Sequence, residues 1–335
     1  MTQQADPSIS VSVIILTWNS AAHLPRCLAC LAQQTCQDFE VLIIDNHSTD
    51  ETTLGLEEKY PQLNLRVERL GSNLGFAAGN NLGTRLARGQ WLTLLNADAF
   101  LEPDWLAQML AAAKRHPNAF FSARLVQANA PSLLDGQGDV YHISGLAWRR
   151  NYCMPSSIDL PEGEVFSACA AAAFYPRQAF LAIGGFDEDY FAYHEDVDLS
   201  FRLRHAGLQC FYIPGATAHH VGSTSFGKRG ERATYFGHRN LVWTYVKNMP
   251  TSLFWLFLPL HLAYTLMHLI YFVKIGQGRV FWQARLDAWK SLGTLLKKRK
   301  TIQQGKVSKT ADILRVMERA PFAPVENIRK RNQAA

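Results

Sequence analysis

Four short stretches of this chain gather side chains of the kind that chemistry uses. Thr17 and Asn19 follow one apolar run, Asp45, Asn46, Ser48 and Asp50 follow a second, and Asn96 and Asp98 follow a third. The fourth stretch, Tyr193-His194-Glu195-Asp196-Val197-Asp198, stands just before an amphipathic segment carrying Leu199, Leu203 and Ala206. Amides, hydroxyls and carboxylates in such clusters can hold a base edge, a ribose or a divalent metal. A single Asp or Asn after a strand is ordinarily a turn former or N-cap. Three clusters at the ends of successive strands share one rim, and that convergence favours a site. Glu195 and Asp196 have two readings. Acidic residues in a first helical turn complement the helix dipole, whereas a carboxylate raised towards neutral pH by a neighbouring carboxylate is a general base. His219-His220 has a structural reading, with His220 as a metal ligand the sharper alternative.

The elements that must position these groups are read from periodicity. Val11–Trp18, Phe39–Asp45, Leu63–Leu70 and Gln90–Asn96 read as strands. Residues 21–34, Asp50–Tyr60, Gly75–Arg88 and Pro103–His116 read as helices. This alternation predicts an α/β fold, a parallel sheet covered on both faces, with ligands at the carboxyl ends of its strands. Residues 127–165 lose periodicity and read as a long connection over the site. Phe166–Phe174 is an apolar run, and Cys210–Ile213 reads as a short strand before the His pair.

What is missing also excludes functions. No G-x-G-x-x-G follows the first strand and no G-x-x-x-x-G-K-[ST] occurs anywhere, which argues against a dinucleotide oxidoreductase and a P-loop NTPase. Phosphates bound on this rim would need a metal and basic side chains instead. Cys27-x-x-Cys30 has no second pair at matching spacing among the 6 Cys, so the thiols read as structural and reduced. At 48% hydrophobic and 19% charged residues, the chain is neither disordered nor a coiled-coil rod.

Five ordered motifs carry a resemblance. V-S-V-I-I-L-T-W-N at 11–19, I-I-D-N-H-S-T-D at 43–50, N-L-G-F-A-A-G-N-N-L-G at 73–83, L-L-N-A-D at 94–98 and G-G-F-D-E-x-Y-F-x-Y-x-E-D-V-D-L-S-x-R at 184–202 resemble a family 2 glycosyltransferase, closest to its rhamnosyltransferase-like branch. The resemblance spans about residues 9–245. It implies a GT-A fold, a Rossmann-like mixed sheet, and transfer from a nucleoside diphosphate sugar with inversion at the anomeric carbon. It also implies that Thr17, Asn19, Asp45, Asn46 and Ser48 line the nucleoside pocket, with Asp45 towards the base, and that Asn73 and Gly75 border the donor. Asp98 matches the last position of the family's metal-binding D-x-D. Asn96 stands at the first, so one carboxylate would ligate Mg or Mn, helped by the diphosphate and His220. Asp196 matches the catalytic base, with Glu195 as the fallback. A sugar-nucleotide pyrophosphorylase would want a basic Gly-rich loop where Thr17-Trp18-Asn19 stands. A non-catalytic membrane-bound sugar-nucleotide sensor or scaffold is the alternative, and it would need no acid pair.

The C-terminal third is different in kind. Between Lys247 and Lys274 lie 26 residues without Asp, Glu, Lys or Arg, and residues 253–273 as a helix would reach about 30 Å, the thickness of a bilayer core. His261, Thr265 and His268 form one polar stripe, and basic residues flank both ends: Arg229, Arg232, Arg239 and Lys247 before, Lys274, Arg279, Arg285 and Lys290 after. Positive flanks on both sides favour an in-plane or re-entrant helix bent at Pro259 over a single crossing or a buried oligomer-forming helix. Trp282, Leu286 and Trp289 beside Lys297–Lys300 read as an interfacial helix. Residues 285–335 carry 13 Lys/Arg against 4 Asp/Glu. The expected organisation is an N-terminal tail (1–8), a catalytic domain (9–245, with a nucleotide half 9–126 and an acceptor half 127–245), membrane-associated helices (246–300) and a basic tail (301–335). The N-terminus shows no secretory signal. The expected location is the cytoplasmic face of the inner membrane, peripheral or monotopic, with a glycan or lipid-linked glycan as acceptor and no nucleic-acid partner.

Overall fold

The apolar runs of the first hundred residues stack as strands whose register brings their polar ends level. In the computed structural model, which describes residues 9–222 and 230–334, the chain runs β1 (Val11–Thr17), α1 (Leu24–Ala32), β2 (Phe39–Asp45), α2 (Leu56–Lys59), β3 (Leu65–Arg69), α3 (Gly75–Leu86), β4 (Trp91–Asn96), β5 (Ala99–Leu101) and α4 (Trp105–Arg115). It continues with β6 (Ala119–Gln127), β7 (Ala130–Gln137), β8 (Asp139–Tyr141), β9 (Ala147–Arg149), β10 (Gly163–Glu164), β11 (Ala172–Pro176), α5 (Arg177–Ala182), α6 (Glu195–His205) and β12 (Gln209–His220). Six helices close the chain: α7 (Glu231–Asn248), α8 (Thr251–Lys274), α9 (Gly278–Lys290), α10 (Leu292–Gln304), α11 (Thr310–Arg315) and α12 (Ala323–Ala334). Arg229 and the 1–8 tail lie outside the described residues.

The main sheet has the order β10-β12-β6-β11-β4-β1-β2-β3. β1 is parallel to both β2 and β4, pairing Thr17 with Asp45 and Leu16 with Asn96, so the polar ends of three strands stand side by side. β11 runs antiparallel to β4 and β6, which makes the sheet mixed. Each face carries its own core. Val13 and Ile15 pack with Leu28 and Trp105 on one side, and Ile14, Leu42 and Ile44 pack with Ala77, Phe180 and Leu199 on the other. The glycine-spaced motif on α3 has a packing cause: a Cβ at Gly79 would collide with Leu16, and one at Gly83 would sit 2.5 Å from Ile14. The helix therefore lies directly on β1. Asn81, from the same motif, donates to Phe186 O and accepts from Phe186 N, and so ties α3 to the Gly184-Gly185 turn.

Three expectations are corrected. Residues 127–165 hold strands: β7 pairs with β6 through two register shifts, and β8 and β9 form a separate hairpin. Those irregular, short pairings leave no period for the sequence to display. The helix expected over Asp50–Tyr60 shrinks to Leu56–Lys59, because Asp50 accepts from the amide and hydroxyl of Thr52 and holds the preceding residues in a turn. The strand expected at Cys210–Ile213 extends to His220 past a register shift after Ile213. Pro259, where a bend is expected, stands inside α8, which is continuous from Thr251 to Lys274.

The helical third inverts the usual distribution of polarity. On α8 the buried residues are Leu253, His261 and Tyr264, while Trp255, Leu256, Leu262, Leu266, Ile270 and Val273 are exposed. His261 points inward, stacks on Tyr245 at 4.2 Å and bonds Ser144 O through Nδ1 at 2.8 Å. Two residues expected as solvated basic flanks are buried: Lys247 pairs with Asp198 at 2.7 Å and Asp187 at 2.5 Å, and Arg285 is enclosed by α7, α8 and α9.

Candidate active site

A cavity of about 660 Å³ opens at the carboxyl ends of β1, β2 and β4, where a doubly covered sheet collects its ligands. Thr17, Asn46, Asn73, Gly75, Asn96, Asp98, Glu195, Asp196 and His220 all line it. Asn19, Asp45 and Ser48 stand outside that lining and tie the two loops together. Asn19 N donates to Ser48 Oγ at 3.0 Å, Thr49 N donates to Asn19 Oδ1 at 2.8 Å, and Asp45 accepts from Ser48 N at 2.9 Å and Thr53 Oγ1 at 2.8 Å. Asn46 and Asn73 form the next layer: Leu74 N donates to Asn46 Oδ1, and Asn46 Nδ2 and Gly75 N both donate to Asn73 Oδ1. Thr17 is buried and its hydroxyl has no partner among the described residues, which leaves it a polar contact to offer a ligand.

Asn96, Asp98 and His220 meet on one side. Strand β5 turns back after Asp98 and pairs with the end of β12, His220 opposite Ala99. His220 Nε2 lies 3.4 Å from Asp98 Oδ1 and 3.3 Å from the Asn96 amide, while Nδ1 lies 2.7 Å from Asp135 Oδ2. Asp135 in turn pairs with Arg149. A carboxylate that accepts the Nδ1 proton leaves the Nε2 lone pair facing the cavity, the arrangement of a metal-ligating imidazole. Among the described residues, no group of three His, Cys, Asp or Glu could enclose a cation. One carboxylate, one imidazole and a side-chain amide fit a hard cation that takes its other oxygens from a diphosphate and water.

Glu195 and Asp196 open α6 and line the same cavity. Asp196 accepts from Val197 N at 2.8 Å and Ala170 N at 3.3 Å. Burial raises its carboxyl above the usual carboxylate range, against the pull of those two amides and Arg149. Glu195 is raised well above its ordinary value by burial and by the charge on Asp196, and its Oε2 has no partner among the described residues. The approach to the pair is strained: Phe191, Tyr193 and His194 have φ of 63°, 68° and 65°, a cost that non-glycine residues bear chiefly at functional sites. Asn240 on α7 pins this loop, its Nδ2 lying 3.0, 2.8 and 2.7 Å from the carbonyls of Tyr190, Ala192 and Tyr193.

Sequence reasoning missed three parts of this site. Asp139 and Arg149, from the β8–β9 hairpin, line the cavity. Burial and Asp196 raise the Asp139 carboxyl well above its usual range. Asn240 does not touch the cavity but shapes its wall. None had a signal, because the hairpin has no periodicity and one Asn within a helix is unremarkable.

A mixed sheet with a loaded strand-end rim, a lone Asp facing a His, and an acidic pair at a helix start, Glu195 buried and Asp196 half-buried, fit a nucleotide-sugar transferase of GT-A architecture. The model of "Glycosyl transferase family 2" matches residues 12–184, and the chain belongs to that family. It is an inverting glycosyltransferase of the rhamnosyltransferase-like branch. It is 32% identical over 246 residues to the N-acetylglucosaminyl-diphospho-decaprenol L-rhamnosyltransferase of Mycobacterium tuberculosis, covering 64% of this chain and 77% of that protein. Two solved structures share the fold. One is S. aureus TarS 1-349 with UDP-GlcNAc, at 18% identity and TM-score 0.54 over 90% of this chain and 93% of that one. The other is GalNAc-T7 with UDP, GalNAc and Mn2+, at 16% identity and TM-score 0.58 over 71% of this chain and 48% of that one.

Proposed function

We propose that this protein is a metal-dependent transferase that moves a deoxysugar from a dTDP-sugar to a hydroxyl of a lipid-linked glycan at the cytoplasmic face of the plasma membrane. A UDP-sugar is the second-ranked donor. The observation that carries the reading is that Asp98, His220 and Asp196 line one cavity, cation-holding groups and a base within a single site. The rhamnosyl donor and lipid-diphosphate acceptor follow the M. tuberculosis relative's name.

In this mechanism Thr17 and Asn46 receive the nucleoside, held in place by the Asn19–Ser48 and Asp45–Thr53 bonds behind them. Asp98 and His220, with Asn96 beside them, would hold a divalent cation, Mg or Mn, which would neutralise charge on the leaving diphosphate. Asp196 takes the proton of the acceptor hydroxyl. The freed oxygen attacks C1 from the face opposite the diphosphate, and the C1–O bond breaks with its electron pair going to the diphosphate. Configuration at C1 inverts. Arg149 and the two amides on Asp196 keep that carboxylate ionised against its desolvation.

The outward apolar residues of α8, continued by Trp282, Trp289, Leu292 and Leu296 on α9 and α10, support monotopic attachment. Such a surface exceeds what a soluble monomer leaves to water, and nearby Lys297 and Lys300 suit anionic headgroups. The test is transfer from dTDP-rhamnose to a prenyl-diphosphate-linked N-acetylglucosamine, with the product's anomeric configuration read by NMR. An inverted glycoside formed only with Mg or Mn supports the reading; absence of transfer from every nucleoside diphosphate sugar opposes it.

A further inference from the structure

Behind the acidic pair lies a group of buried donors with nothing to donate to. Arg285, on α9, is 5% exposed, and among the described residues none of its Nε, Nη1 and Nη2 atoms has a hydrogen-bond partner. Among the described residues it makes no ion pair; its guanidinium stacks on Phe281 at 4.8 Å. The Nδ1 atoms of His238 on α7, His268 on α8 and His194 ahead of α6 are likewise buried and unpartnered. His238 lies 5.4 Å from the His268 ring and 4.8 Å from the Phe281 ring. A buried cation normally has a carboxylate beside it. Here the titratable neighbours are imidazoles, and the charge on Arg285 adds to burial in holding His194 at about 4 and His238 well below its ordinary value. Burial draws Arg285 itself down to about 10.

A planar guanidinium with imidazole nitrogens around it is complementary to phosphate oxygens. The position narrows the source. His194 lines the catalytic cavity, while α8 and α9, which carry His268 and Arg285, present their exposed apolar residues on the outside. An acceptor with its sugar in the cavity and a prenyl chain along α8 and α9 would carry its phosphates between the two.

We infer that Arg285, with His238, His268 and His194, forms a phosphate subsite that binds the diphosphate of the lipid-linked acceptor, entered from the cavity past His194. The inference rests on the transferase reading for its choice of acceptor, but its test does not require turnover. The full chain, with dTDP and Mn saturating the donor cavity, is titrated with farnesyl diphosphate, inorganic diphosphate and phosphatidylglycerol vesicles. Farnesyl diphosphate should bind the parent, and Arg285→Met should weaken it at least tenfold. Arg285→Lys should retain part of the affinity, with dTDP binding unchanged in both variants. In transfer assays Arg285→Met should raise KM for the lipid-diphosphate acceptor more than it lowers kcat. Should Arg285→Met fail to fold, Arg285→Lys and His238→Gln carry the same comparison with smaller losses. Equal farnesyl diphosphate affinity in parent and variants overturns the inference, as does no binding to the parent. Loss confined to the vesicles assigns the subsite to a membrane headgroup and also overturns it. Arg285-dependent binding in a chain that transfers no sugar sinks the transferase reading and leaves the subsite standing.

Discussion

The β1–β4 sheet and the α7–α10 helices bury comparable kinds of residue in opposite senses. In the sheet, apolar side chains fill both faces and polar groups gather on one rim. In the helices the polar side chains of Lys247, His261 and Arg285 are inside, and Trp255, Leu256 and Trp289 are outside. The sheet is built for water around it. The helices expose an apolar face instead, the basis of the attachment proposed above. The acidic pair of α6 lies between the two regions.

The largest effect is expected at that junction. Asp196→Asn should lower kcat by about 10²–10⁴-fold while dTDP affinity stays within a few-fold, measured by turnover and calorimetry. Near-normal turnover would move the base to Glu195. The pH profile sharpens this. A base whose carboxyl is raised by burial loses activity as pH falls through that raised value, so the acid limb of kcat/KM should lie above the ordinary Asp value.

Next in size is the ion-pair centre that joins the regions. Asp198 is fully buried, pairs with Lys247 and Arg202 and accepts from Asn248 Nδ2. Asp198→Asn should cost about 3–5 kcal/mol, because it leaves buried cations unpaired, and denaturant unfolding checks this. Burial opposes its ionisation, but Lys247 and Arg202 hold its carboxyl well below the ordinary value. Its stabilisation is therefore complete above about pH 4, the unfolded value, and is lost as pH falls towards the folded one. The parent should lose stability on acidification more steeply than Asp198→Asn.

A smaller loss is expected where α7 holds the strained loop. Asn240→Ala removes an amide shared by three carbonyls and should cost about 1–3 kcal/mol, with a fall in kcat that exceeds any change in nucleotide affinity. The smallest effect on the isolated enzyme is expected at the outer face. Trp255→Ser with Leu266→Ser should leave turnover on a soluble acceptor unchanged. Vesicle binding, measured by flotation, should weaken by about 1.5–3 kcal/mol per side chain removed. Unchanged flotation would break the contrast between the two regions.

The same contrast governs what was legible in the sequence. Strands β1, β2 and β4 announce themselves, since a strand buried on both faces is a continuous apolar run and its first polar residue marks the rim. Thr17, Asn46, Asn96 and Asp98 were read that way, and they line the cavity. Asp139 and Arg149 were not, because short irregular pairings in 127–165 have no pattern. In the helices, composition gave the length of α8 but not its orientation: Lys247 and Arg285 looked like solvated flanks and are buried. A charge's partner is set by tertiary packing, which one chain's periodicity does not record.

The most direct measurement is the calorimetric titration of dTDP and UDP into the full chain with Mn, with Mg and with chelator, repeated on Asp98→Asn. The account predicts metal-dependent binding that favours dTDP and weakens sharply in the variant. Binding that is indifferent to metal and to Asp98, or no binding of either nucleotide, would contradict it.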